Sequence, residues 1–199
     1  ILGERIHYLT TLDFPAHPAL IEDANTFAGN ATRKALGLAT WLSSAPPRNP
    51  LLETSKCFVL ADDSGLEVDA LGGAPGVHSA RFAAMDPGAA ANTHDMDNNR
   101  KLLRLLTEVP LAQRTARFRC VLALVALDAT RPLAVPELFE GLCEGRIDFA
   151  PRGNGGFGYD PLFIPAGCQV SFAELGESGK NQLSHRARAL KKLRERVEF

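Results

Sequence analysis

At 199 residues, with 45% hydrophobic and 23% charged side chains, the chain is long enough to bury a real core in one large domain or two lobes. A formal net charge of −1 supplies no global field for nucleic acid, so an anionic ligand must be held by a local cluster. No apolar run reaches the roughly 18 residues of a membrane span, and four scattered cysteines without a C-x-x-C pair read as free thiols in a reducing, cytoplasmic setting.

In chain order, Ile1-Leu2-Gly3 reads as the tail of a helix with its glycine stop, and Arg5 to Leu9 as a short strand. Thr10 to Asp23, with Pro15 and Pro18, is a loop ending in the acids Glu22 and Asp23. Helical periodicity begins near Asn25 or Thr26, either a good N-cap, and runs through Ala31, Ala35, Leu38, Ala39 and Leu42 to Ser43-Ser44. That helix puts Asn30 and Lys34 four apart on one face. Ala45 to Lys56, rich in Pro, Ser and Asn, is a surface loop.

The strand Cys57 to Ala61 runs into Asp62-Asp63-Ser64-Gly65, with a further short strand at Leu66 to Val68. A strand buried on both faces would deliver these carboxylates to a sheet edge, and two adjacent acids would point opposite ways. The same four residue types also suit a plain turn. Gly72 to Gly76 is either a backbone cradle for an anion or a tight turn needing positive φ.

A helix is expected from Asn92 to Glu108, with Met96, Leu102, Leu103, Leu105 and Leu106 as its apolar face, serving core or subunit interface. Ala116 to Leu127 reads as a central strand. Leu133 to Arg146 reads as its antiparallel partner, with Pro136 as a bulge. Ala150 to Pro161 sets four glycines around Phe157, Tyr159 and Asp160, which suits stacking of a planar ligand or a hairpin with buried aromatics. Leu162 to Ile164 is a short strand. The last helix starts at Ser184, with Leu183, Ala187, Leu190, Leu193 and Val197 as one stripe and Arg188, Lys191, Lys192 and Arg194 facing water. Lys180, His185 and Arg186 bring cations to that helix start, where the dipole disfavours them unless an anion or electron-rich acceptor is bound.

Carboxylates suit Mg²⁺ or Mn²⁺ with a phosphate substrate, and an aromatic with His and Arg donors suits a nucleobase edge. The segments A-D-D-S-G-L-E-V-D-A-L-G-G-A-P-G-V-H-S-A-R, G-G-F-G-Y-D-P and S-H-R, with T-F-A-G-N-A-T-R-K-A in the first helix, resemble the inosine triphosphate pyrophosphatase family. The resemblance runs from Thr11 to the last helix.

It implies an α/β fold with an elongated mixed sheet flanked by helices and two lobes about a central cleft. It also implies a homodimer that cleaves the noncanonical purine nucleotides ITP, dITP and XTP to monophosphate and pyrophosphate with Mg²⁺, with Mn²⁺ as an alternative, and with neither nucleic acid nor membrane as a partner. By the same resemblance Asp63 is the catalytic, metal-binding acid, Glu22 the second metal carboxylate, and Asp62 and Asn30 support them. Ser64, Lys34, Lys180, Phe157, Gly158, Tyr159, Asp160, His185 and Arg186 contact substrate.

Residues 1–199 are then expected to form a single domain lacking the family's opening strand and S/T-x-N-x-x-K phosphate loop. Gly29 stands where the family commonly has glutamate, which weakens the helix and leaves Glu22 as the remaining ligand. Two other readings stay open: a non-catalytic purine-nucleotide binding protein, and a pyrophosphatase for another modified nucleotide.

Overall fold

The computed structural model describes residues 6–14, 17–44, 56–86, 94–127 and 134–197. They build α1 (Phe27–Ser44), β1 (Cys57–Val68), α2 (Asp95–Leu105), β2 (Thr115–Leu127), β3 (Glu137–Ile147), β4 (Phe163–Pro165), α3 (Phe172–Leu183) and α4 (His185–Arg196). The α/β class is as expected. The sheet has the order β1-β2-β3-β4 and is antiparallel, with Gly145 opposite Pro165 and Ile147 opposite Phe163. The chain forms two compact units, one of Ile1–Asp63, Val121–Glu140 and Ala189–Phe199, the other of Ser64–Cys120 and Gly141–Arg188.

In the first unit, α1 buries Phe27, Ala31, Ala35 and Ala39, one residue per turn, so its inner stripe is nearly all alanine. Val121 to Val125 of β2 are all buried, as expected for a central strand. Ala189 and Leu193 of α4 are fully buried, while Lys191, Lys192 and Arg194 face water, as does Arg188, where the second unit ends.

The second unit has one apolar core, in which Leu66, Val68, Leu102, Leu106, Ile147, Leu162 and Phe163 are inaccessible to solvent. Arg114 is buried beside it. Its guanidinium donates to the carbonyls of Leu106, Val109 and Asp148, three acceptors that offset the desolvation of the charge.

Several expectations are corrected. His7 to Leu9 form no strand, and Arg5, Ile1-Leu2-Gly3 and Ala45 to Ser55 lie outside the described residues. Asp62-Asp63-Ser64-Gly65 is neither a turn nor a strand end, because β1 runs unbroken for 12 residues through it. Alternation along a strand explains the burial: Val59 and Asp63, four apart on one face, are buried, while Asp62 is half-buried.

In α2, Met96 is 71% exposed and Leu105 45%, so Leu102 and Leu106 carry the buried contact. Pro136 lies just before β3 rather than within it, and Leu133 is outside the described residues. A helix unforeseen in the sequence, α3, opens on a capping box: Ser171 Oγ accepts from Glu174 N at 3.2 Å, and Glu174 Oε2 accepts from Ser171 N at 2.8 Å. Its kink falls at Gly176, whose φ is +69°. Lys180 therefore lies in the last turn of α3, where the helix dipole favours a cation, and not at the start of α4.

Candidate active site

The first constellation lies wholly in the first unit and rests on α1 and β1. Thr26 caps α1 through its Oγ1, which accepts from Gly29 N at 3.0 Å. One turn of helix then separates Asn30 from Lys34, and both reach the same carboxylate. Asn30 Nδ2 donates to Asp63 Oδ2 at 3.2 Å, and Lys34 Nζ donates to Asp63 Oδ1 at 2.8 Å. Lys34 Nζ also donates to Glu22 Oε1 at 3.0 Å, so two carboxylates from distant parts of the chain meet on one ammonium. Asn30 is itself oriented by Ala24 N, which donates to its Oδ1 at 2.9 Å.

Burial sets the electrostatics. The Asp63 carboxyl is pushed above the ordinary aspartate range, because loss of water outweighs the hydrogen bonds from Lys34 and Asn30. For Lys34, burial pulls downward, but its two carboxylate partners together hold the ammonium above the ordinary lysine range. The pair is thus a protonated lysine beside an acid whose charge is held at some cost.

A second constellation lies wholly in the second unit. Asp160 is 2% exposed and turned inward, where its Oδ2 accepts from Phe157 N at 2.9 Å and from Lys180 Nζ. The same ammonium sits 4.2 Å from the centroid of the Phe157 ring, which is itself 61% exposed. The glycine loop therefore presents one aromatic, not two. Tyr159 is core, its hydroxyl donating to Ser79 O at 2.9 Å, and burial drives its phenol far above the ordinary range.

Two residues of α2 that the sequence reading passed over hold this loop. Asp95 Oδ2 accepts from Gly158 N at 2.6 Å, and Asn99 Nδ2 donates to Gly158 O at 3.0 Å. Polar residues at 95, 98 and 99 in a helix otherwise read for its leucines were the available signal.

Ser184 caps α4, accepting from Ala187 N at 3.2 Å. His185 follows as the first helical residue, buried, its ring stacked on Phe118 with centroids 4.9 Å apart and planes 14° apart. Arg186 and Ser64 are half-buried. The Gly72 to Gly76 loop resolves to its turn reading. Gly72 N donates to Asp69 O, Gly73 N to Val68 O and Ala74 N to Leu71 O, so those amides are engaged within the loop.

A hydrogen-bonded buried carboxylate and an exposed one thus meet on one lysine, an oxygen-rich cluster of the kind that suits a hard cation and its phosphate ligand. The Ham1 family model matches residues 1–196. A dITP/XTP pyrophosphatase of Geobacillus kaustophilus is 50% identical over 187 residues, covering 94% of this chain and 80% of the relative. A dITP/XTP pyrophosphatase of Shouchella clausii is 46% identical over 186 residues, covering 94% and 82%.

Among solved structures, a HAM1 protein from Coxiella burnetii superposes with a TM-score of 0.72 at 37% identity, covering 90% of this chain and 80% of that one. The Ham1 protein of Staphylococcus aureus gives 0.73 at 32% identity, covering 93% and 82%. The chain belongs to the Ham1 family.

Proposed function

We propose that the chain is a nucleoside triphosphate pyrophosphatase that removes the noncanonical purine nucleotides dITP, XTP and ITP as monophosphate and pyrophosphate. The observation that carries the reading is the meeting of Glu22 and Asp63 on Lys34, with Asp63 buried and raised in pKa. The names of relatives that share up to half of its residues support the same substrate class.

The donor set fits a hard divalent cation. Both acids offer oxygen only, and among the described residues no group of three or more His, Cys, Asp or Glu side chains is placed to hold a metal ion unaided, so the chain would supply two donors. Two carboxylates that leave most of the coordination shell to water and phosphate suit Mg²⁺, with Mn²⁺ as an alternative. Asp63 and Glu22 would hold the ion. When bound, it supplies Lewis-acid polarisation of a phosphoryl oxygen and a lowered pKa for an attacking water.

The chain's own residues supply the rest. Asp63, whose carboxyl burial lifts above the ordinary aspartate value, is placed to take the proton of an attacking water on its carboxylate. Lys34 fixes both carboxylates and offsets negative charge gathering on phosphate oxygens. Phe157 offers a ring face to a purine, and Lys180 supplies a fixed cation beside it. His185 and Arg186 donate to a 6-keto oxygen, which an adenine 6-amino group would leave unpaired.

We further place the protein in the cytoplasm and as a homodimer. Its four cysteines are free thiols, and among the described residues no helix is long and apolar enough to cross a membrane. The exposed Met96 and Leu105 of α2 are available to a second copy.

A panel of triphosphates with Mg²⁺ tests the reading. kcat/KM for dITP, XTP and ITP should exceed that for ATP by on the order of 10²-fold or more. A preference for ATP overturns it, and tight binding without product would favour a nucleotide-binding protein instead.

A further inference from the structure

Gly29 lies in the first turn of α1, and its place is already taken. A Cβ built there would fall 2.7 Å from Ala24 Cβ and 3.0 Å from Thr26 Oγ1. The methyl of Ala24 is rigidly tied to its own backbone, so relief requires the segment before the helix to move. Helical backbone at position 29 does not itself call for glycine, and propensity favours alanine in a helix. The missing side chain therefore serves close approach.

What that approach holds in place is specific. Ala24 N donates to Asn30 Oδ1, and the same Asn30 donates to Asp63 Oδ2. Two residues before Ala24, Glu22 accepts from Lys34. Pushing Ala24 outward would strain the bond that orients Asn30 and carry Glu22 away from the ammonium.

We infer that Gly29 is a positioning residue: by lacking a side chain it lets Glu22 to Thr26 lie against the start of α1, which sets the Glu22 carboxylate on Lys34. Ala24 and Gly29 are accordingly a coupled pair. The consequence for turnover rests on the function proposed above, whereas the steric coupling does not.

Gly29→Ala, Ala24→Gly and the double variant of the full chain test this by thermal melting and by steady-state hydrolysis of dITP with Mg²⁺. Gly29→Ala should lower Tm by roughly 2–4 °C, where helix propensity alone predicts a rise. It should also lower kcat on the order of tenfold or more, as small misplacements of catalytic groups do. Adding Ala24→Gly should restore kcat to within about threefold of wild type, a rescue within the several-fold coupling expected of residues in contact.

Additive effects on Tm overturn the coupling, and an unchanged kcat in Gly29→Ala overturns the positioning role. A wild-type chain that fails to hydrolyse dITP would defeat the functional reading instead. The melting cycle, which needs no turnover, would then decide the inference.

Discussion

Lys34 and Asp63 form a charge pair that is almost withdrawn from water, with 12% and 10% of their side chains exposed and 2.8 Å between Nζ and Oδ1. Helix α1 supplies the lysine and strand β1 the acid, and Glu22 completes the triad from an exposed position. Such a pair is held by its surroundings rather than by mutual attraction alone, since burial penalises both charges.

Asp63→Asn separates charge from shape. The amide keeps an oxygen for Lys34 but turns an NH2 toward Asn30 Nδ2 and removes the charge facing the ammonium, so far-ultraviolet circular dichroism should be unchanged while stability falls by roughly 1.5–3 kcal/mol. Turnover of dITP should fall on the order of 10³-fold. An active variant would move the catalytic role elsewhere.

Lys34→Met removes the cation and leaves two carboxylates facing each other. The lost charge-assisted bonds should lower stability by roughly 1.5–3 kcal/mol, measured by denaturant midpoint at constant slope. Glu22→Gln, at an exposed position, should lower it by less than about 1 kcal/mol.

The raised pKa of Asp63 has a definite sign in stability. Its folded-state value lies above its unfolded one, so just above pH 3.8, the unfolded reference, the native chain binds the extra proton and loses stability as pH rises. Asp63→Asn lacks this titration. The melting temperature of the variant minus that of wild type should therefore increase through the window above pH 3.8. Lys34 behaves as a raised base: its contribution is present below pH 10.5 and disappears as pH climbs through its folded value. Equal melting profiles across the acid window would contradict the assignment.

Two glycines of the aromatic loop should respond differently to alanine. Gly158 has φ +60° with open space around it, so Gly158→Ala should cost about 1–2 kcal/mol from backbone conformation alone. Gly156 has φ +76°, and a Cβ there would collide with Asp160 Oδ2, displacing the carboxylate that holds Phe157 N and Lys180. Gly156→Ala should be the more destabilising in urea and should raise KM for dITP more.

Much of this was written in local sequence. The four-residue repeat of alanines gave α1, its Thr26 cap gave the start, and the spacing of Asn30 and Lys34 gave a shared face that the structure aims at one carboxylate. The acids of β1 were readable as chemistry but not as continuing strand. Asp, Ser and Gly are turn formers by propensity, and only their place in β1 of the sheet overrides that.

Other features depended on contacts distant in sequence. The hold of Lys180 on Asp160, the stacking of His185 on Phe118 and the grip of Asp95 and Asn99 on Gly158 join residues 20 to 67 positions apart, and no local pattern encodes them. Helix α3 was legible and overlooked: Ser171-x-x-Glu174 is a capping box, masked by Gly176 and Gly179 within the helix. Gly29 read as a lost acid, and only the position of Ala24 shows it as a site of close approach.

The central claim is hydrolysis of the α,β-anhydride bond of a 6-keto purine triphosphate, and product analysis tests it most directly. Incubation of dITP with the chain and Mg²⁺, with pyrophosphate and orthophosphate quantified in parallel, should give one pyrophosphate per monophosphate and no diphosphate intermediate. Release of orthophosphate with accumulation of dIDP would contradict the account.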